Sequence, residues 1–397
     1  MRRARRHRVR GAGALALAAL LTTAGPRALA AEPVELPVLR TTLAPGESCV
    51  RPSTTRAEAR PWTVGALGLP RAWSLSQGEG VTVAVVDTGV GSNVAALAGR
   101  VRGIDGADED CVGHGSFAAG LIAGARLEGV GPAGVAPRSR VLAVRGTDAR
   151  GVPSARRVAD GIRAAADGGA RVIYVGHALT DGRAELTSAV AYAGRHDALV
   201  VAPAVPDPVP RAPGARQEPA PEQPWYWPAA APGALAVGGY GPATSSPTRA
   251  PAPPRVARLD LVAPGEMVVG VGPGGSGHFL GSGASLAAAQ VAGAAALVRA
   301  QRPGLSAPQV ARQLTAAAYP ASPPRLDPYA AMTAVLGQER GAAPRPAPAR
   351  MPDPGSTTSR DRALLVAGVA GGLVLVTGAL LAVIPRGRAR GWRPEGG

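Results

Sequence analysis

The heptapeptide Val-Thr-Val-Ala-Val-Val-Asp at residues 81–87, followed at once by Thr88 and Gly89, decides how this chain folds. It is a short β-branched run with no polar alternation, the pattern of a strand buried on both faces. The same pattern recurs in RVLAVR at 140–145, ARVIYV at 170–175, ALVVAP at 198–203 and ALAVGG at 234–239. Ala-rich stretches with helical character fill in at 158–166, 184–194 and 286–300. Buried strands alternating with helices predict a parallel sheet covered on both faces, an α/β fold of doubly wound type.

Composition agrees with a large folded domain. The chain has 397 residues, 46% of them hydrophobic, which is too apolar for disorder. It contains no Lys and a single Asn, Asn93, alongside 54 Gly and 40 Pro, a bias that reads as GC-rich coding and carries little function. The formal net charge of +16 is concentrated at the ends. Seven arginines without an acid lie in residues 1–30, and Arg386, Arg388, Arg390 and Arg393 face only Glu395, which leaves +6 for everything between. Nucleic acid is therefore not an expected partner.

Both ends read as targeting devices. Arg2 to Arg10 form a basic stretch, residues 11–24 an apolar one, and Ala28-Leu29-Ala30 a small-x-small cleavage site, the pattern of a secretory signal peptide. Residues 363–384 are uncharged and apolar, long enough at 1.5 Å per residue to cross a hydrocarbon core of about 30 Å. The Arg-rich segment after them predicts a cytoplasmic C-terminus with the rest of the chain outside.

In doubly wound sheets, chemistry gathers beyond the carboxyl ends of strands and at helix N-termini. Asp87 ends the first buried strand. His114 sits in GHGSFAAGLIAG, and Ser285 in GSGASLAAAQVAGAAALV, each at a Gly-rich turn opening a helix. Taken singly, each has an ordinary explanation as a turn acid, a loop histidine or a helix N-cap. Together they supply the three parts of a triad: Ser285 as nucleophile, His114 as base, and Asp87 to fix the imidazole tautomer.

The order Asp, His, Ser, with VAVVDTGV, GHGSFAAGLIAG, GVAPRSRVLAVR and VAPGE before GASLAAAQVAGAAALV, resembles the subtilisin-like serine proteases. The resemblance implies a subtilisin-like parallel sheet flanked by helices, followed here by a C-terminal transmembrane helix. The segment PWTVGALGLPRAWSLSQGEG, the Cys111 of DCVGHG and the Pro-rich stretch before the apolar C-terminal segment resemble the mycosin subgroup. That implies protein or peptide substrates, a membrane location and a part in a type VII secretion membrane complex. The expected division is a signal peptide at 1–30, an N-terminal extension at 31–61, a peptidase domain at 62–337, a linker at 338–362, a transmembrane helix at 363–384 and a cytoplasmic tail at 385–397. Residues 51–60 offer a cleavable stretch, short for a folding propeptide.

An exported chain with two cysteines is expected to pair them, so Cys49 and Cys111 predict a disulfide beside His114, the alternative being two independent thiols. No cofactor or metal is expected. The acidic run Asp105, Asp108, Glu109 and Asp110 lacks calcium-loop spacing and reads as a solvated loop.

Departures from the family pattern cluster around one function. Ala284 and Ala289 stand where the family usually has Thr and Pro near the serine, and Tyr174 and Gly176 where it has Asn and Ser. The Asn whose amide donates to the oxyanion is missing; its position falls near Val205, Pro206 or Asp207, none of which is a suitable donor. A carboxylate there repels a developing oxyanion unless it is protonated. His177 is the nearest substitute in sequence, although a satisfied or solvent-facing histidine is the ordinary reading. Two functions follow: a weakened membrane-anchored serine endopeptidase, or a pseudoprotease serving as a structural component of the secretion complex.

Overall fold

The computed structural model describes residues 34–208, 224–242, 256–336 and 358–391. The expected signal peptide lies outside these residues, as does most of the expected linker. The chain divides into two compact units between Leu336 and Gly337.

In the first unit, strands β1 (Thr82–Asp87), β2 (Val101–Gly103), β3 (Arg140–Arg145), β4 (Val172–Val175), β5 (Leu199–Pro203), β6 (Ala234–Tyr240) and β7 (Leu261–Pro264) form one sheet in the order β2-β3-β1-β4-β5-β6-β7. Every neighbouring pair is parallel. Strands β8 (Val268–Val271) and β9 (His278–Gly281) make a separate antiparallel pair. The helices are α1 (Trp62–Ala66), α2 (Leu69–Trp73), α3 (His114–Ala123), α4 (Ala155–Asp167), α5 (Arg183–Arg195), α6 (Ala284–Gln301), α7 (Ala307–Ala316) and α8 (Pro328–Thr333).

The sheet explains the unbroken apolar runs. On β1, Val83 and Val85 join the core that holds Phe117, Leu286 and Val291, while Ala84 and Val86 join the opposite core with Ile162 and Leu186. A strand covered on both sides has no polar face to display. Helix α6 is a further case: every residue from 284 to 299 is buried, as expected of a helix without a polar face. Its Ala-rich sequence favours the helix and lets neighbouring elements approach closely. The expected helices at 158–166, 184–194 and 286–300 all fall inside α4, α5 and α6. Strands β2, β7, β8 and β9, each three or four residues long, had no counterpart in the sequence reading.

The strand order places the site. From β1 the chain goes to β2 and β3 on one side, then crosses to β4 on the other. The sheet therefore reverses its winding at β1, and the crevice at such a switch point lies beyond its carboxyl end, where Asp87 stands.

The segment before Pro61 is docked along the first unit rather than trailing from it. Leu39 N–H donates to Leu280 O at 2.8 Å, Leu280 N–H to Pro37 O at 2.9 Å, and His278 N–H to Thr55 O at 2.8 Å, so β9 serves as its template. The approach is so close that a Cβ on Gly277 would lie 1.8 Å from Ser53 O, and one on Gly131 would lie 1.9 Å from Ala59 O. Cys49 and Cys111 are joined in a disulfide, and Val50 N–H donates to Cys111 O at 2.9 Å.

The second unit contains α9 (Thr358–Ala389), which is long and apolar enough to cross a membrane. It begins five residues before the expected span and continues through Pro385 to Ala389. Arg386 and Arg388 in the last turn complement the negative end of the helix dipole, while Asp361 in the first turn is flanked by Arg360 and Arg362. Leu364, Leu373 and Leu381 are among its exposed apolar side chains.

The disulfide closes a loop of 62 residues, for which chain entropy predicts a stabilisation of about 4 kcal/mol. Cys49→Ser should lower the urea midpoint of the full-length chain in detergent accordingly and expose residues 34–60 to proteolysis. An unchanged midpoint and cleavage pattern would show that the extension is held by its backbone bonds alone.

Candidate active site

Asp87, His114 and Ser285 come together from three elements separated widely in sequence. Asp87 is the last residue of β1, His114 the first of α3 and Ser285 the second of α6. All three are buried, at 0%, 1% and 0% exposure. His114 Nδ1 lies 2.9 and 2.8 Å from the two Asp87 oxygens, and its Nε2 lies 3.1 Å from Ser285 Oγ. Because a carboxylate only accepts, this geometry puts the Nδ1 proton toward Asp87.

The imidazole is aimed by residues that the sequence reading did not place in the site. Asp110, expected in a solvated loop, is instead partly buried beneath the start of α3. Its Oδ1 accepts from Gly113 N–H at 2.8 Å, Val112 N–H at 3.1 Å and Thr88 Oγ1 at 2.9 Å. Its Oδ2 accepts from Ser116 N–H at 2.9 Å and Ser116 Oγ at 2.7 Å. Thr88 Oγ1 in turn accepts from Gly115 N–H at 2.9 Å. One carboxylate thus binds the unpaired amides at the start of α3 and ties them to the turn after β1. A signal was present in the sequence: Asp110 stands four residues before His114, with Ser116 two residues after.

Burial alone would push the Asp87 carboxyl up, but the facing His114 charge and hydrogen bond, with smaller contributions from His177 and Thr88 N–H, hold it below its ordinary value. Burial likewise opposes a charged His114. The Asp87 charge and hydrogen bond, with the nearby Asp207 carboxylate at 3.6 Å, outweigh it and push the imidazole up to about 10.

Asp207 is the unexpected member. Ser285 N–H donates to its Oδ1 at 2.9 Å, and Ser285 Oγ–H donates to its Oδ2. Its Oδ2 also lies 3.6 Å from His114 Nε2. The carboxylate therefore occupies the ground where a backbone N–H at the start of α6 would meet an oxyanion. Asn93, the single Asn of the sequence, lies against Gly274.

His177 is neither fully exposed nor satisfied. It is partly buried, its ring centroid is 5.8 Å from that of His114, and its Nδ1 has no hydrogen-bond partner. Burial first, then the His114 charge, push it below its ordinary value and keep it neutral near pH 7. Tyr174, in β4, is fully buried with its hydroxyl also unpartnered.

The Asp110 cluster makes a direct prediction. Asp110→Ala strands several buried donors at about 1–3 kcal/mol each, so thermal unfolding should show a loss of at least about 3 kcal/mol. Asp110→Asn should keep part of that stability. Equal stability of Asp110→Ala and the parent would mean that water replaces the carboxylate at no cost.

Comparison with known proteins places the chain in a family. The Subtilase family profile matches residues 78–345. Thermitase from Thermoactinomyces vulgaris is 35% identical over 238 residues, covering 58% of this chain and 79% of thermitase. Mycosin-3 from Mycobacterium tuberculosis is 32% identical over 390 residues, covering 81% of this chain and 83% of its own. Among solved structures, the MycP3 protease from the type VII (ESX-3) secretion system superposes with a TM-score of 0.58 at 30% identity, covering 76% of this chain and 95% of the other. A chain of the intact ESX-5 inner membrane complex gives 0.62 at 25% identity, covering 89% and 97%. With the parallel sheet and the Asp87–His114–Ser285 arrangement already in view, these likenesses establish that the chain belongs to the subtilase family, and within it to the mycosins.

Proposed function

We propose that this chain is a membrane-anchored serine endopeptidase that works within a type VII secretion membrane complex and acts slowly because its oxyanion site is compromised. The observation that carries the reading is the position of His114, bonded to Asp87 on one side and within 3.1 Å of Ser285 Oγ on the other. When His114 is neutral at Nε2, it takes the Ser285 proton as Oγ attacks a peptide carbonyl carbon. Asp87 stabilises the resulting imidazolium, and Ser285 N–H holds the carbonyl oxygen as it becomes an oxyanion. His114 then delivers the proton to the leaving amine, and water resolves the acyl-enzyme by the same path in reverse.

Domain boundaries and topology belong to the same proposal. Residues 1–30 direct export, 31–61 brace the peptidase domain at 62–337, and 338–362 link it to the anchor at 363–384. The domain lies outside the membrane and residues 385–397 inside, as the Arg-rich tail favours. Similarity to a chain of the ESX-5 inner membrane complex supports a secretion-complex partner. Asp207 on Ser285 favours the second reading, a pseudoprotease with a structural role in that complex.

A fluorophosphonate probe forms a phosphorus–oxygen bond with an activated serine and releases fluoride. The full-length chain in detergent should label slowly, and Ser285→Ala should not label at all. Labelling equal in both proteins would remove the peptidase reading and leave the structural one. Topology has its own test: ending the chain at residue 340 should release it into the medium, whereas sedimentation with membranes after a high-salt wash would contradict the anchor.

A further inference from the structure

We propose that Asp207 is a built-in latch, whose carboxylate fills the oxyanion site in place of a substrate carbonyl oxygen and holds the Ser285–His114 couple in an unreactive state. The proposal rests on the peptidase reading above, and its test is arranged so that the two fail separately.

Three contacts define the latch, and each opposes one requirement of catalysis. Ser285 N–H, the backbone donor for an oxyanion, is taken by Asp207 Oδ1 at 2.9 Å. The Ser285 hydroxyl donates to Asp207 Oδ2, so its proton is directed away from His114. The same Oδ2 lies 3.6 Å from His114 Nε2, placing the imidazole between two carboxylates.

A protonated Nε2 has no lone pair to receive the serine proton. The groups facing His114 are Asp87 at the end of β1, Tyr174 in β4, His177 in the loop after it, and Asp207 in the loop after β5. Burial keeps Tyr174 and His177 neutral near pH 7, so two carboxylates set the charge of the imidazole. An anion in the oxyanion site thus disarms the base as well as occupying the donor.

The local sequence is shaped to deliver this carboxylate. Ala204 N–H donates to Val237 O at 2.7 Å, after which the chain reads Val205-Pro206-Asp207-Pro208. Pro206 fixes its own φ, and Pro208 biases Asp207 toward extended backbone, so the acid is presented from a stiffened loop. On the opposite side, a Cβ at Gly283 would lie 2.2 to 2.4 Å from the Asp207 carboxyl atoms. Glycine at 283 is what admits the carboxylate to the start of α6.

The latch predicts a specific response to charge. Asp207→Asn keeps the shape, removes the anion and adds an amide donor at the oxyanion site. Asp207→Ala removes the anion and adds no donor. A single side-chain donor of this kind is worth about 10²–10³ in kcat, the magnitude known for its removal from subtilisin itself. Fluorophosphonate labelling of the full-length chain in detergent should therefore be faster in Asp207→Ala than in the parent, and faster again in Asp207→Asn, by about 10²-fold or more over the parent.

An independent readout needs no catalysis. With ¹³C-labelled histidine, and the His114 resonance assigned from its loss in His114→Ala, the parent should keep His114 protonated well above pH 7. In Asp207→Asn, its titration midpoint should fall by about 1–3 pH units, since an opposite charge within about 4 Å shifts a group by that much. If His114 titrates at the same pH in both folded proteins, the latch is overturned. Equal labelling of parent and Asp207 variants, with all three dependent on Ser285, also overturns it. A falling midpoint with no Ser285-dependent labelling in any protein upholds the latch and removes the peptidase reading instead.

Discussion

The bond between Asp87 and His114 sets what every other part of the site must do. Two ionisable groups buried at 0% and 1% exposure keep each other charged only through close contact, because taking either from water alone costs several kcal/mol. The contact depends on β1 delivering its last residue to the rim of the sheet at the winding reversal and on α3 starting beside it. Asp110 supplies that second condition by binding the amides of the first turn of α3 and, through Thr88, the turn that follows Asp87. The acid–imidazole pair is thus supported by another carboxylate that does no chemistry.

Electrostatically, the site is defined by one charged imidazole, His114, between two acids, with the neutral His177 beside it. The Asp87 charge is the largest influence raising His114, and with Asp207 beside it the imidazole's charge is held well into the alkaline range. Desolvation opposes this and loses, because both acids lie within hydrogen-bond or ion-pair range of the ring. Position and reactivity separate here. Asp87, His114 and Ser285 are within hydrogen-bond reach of one another, while the neutral imidazole that the proposed attack requires is disfavoured.

The unbroken apolar strands and the Gly-framed Asp87, His114 and Ser285 were legible in the sequence because burial on two faces and strand-to-helix turns leave local marks. Asp207 was legible as a position and as an unfavourable charge, since the missing Asn pointed to the loop after β5. Its bonds to Ser285 were not, because they depend on how that loop meets α6 across 78 residues of chain. Asp110 was misread for the opposite reason: an acid among acids looks solvated, and only the fold shows five donors converging on it. Strands β2, β7, β8 and β9 are three or four residues long and escaped notice, whereas the equally short β4 was legible inside the longer run ARVIYV. The helix α9 exceeds its apolar core at both ends because termini are set by charge and backbone bonding as well as by hydropathy.

The docked extension bears on how the surface of the first unit can vary. Where a carbonyl oxygen of a passing strand fills the space of an absent side chain, as Ser53 does over Gly277 and Ala59 over Gly131, the glycine is a mould of its neighbour. A methyl group at either place would lift the passing segment. The face beneath residues 34–60 is therefore an interior wall whose lid happens to come from the same chain. Its composition is answerable to the extension's backbone, not to water: the glycines are fixed by main-chain carbonyls that any residue at 53 or 59 would supply.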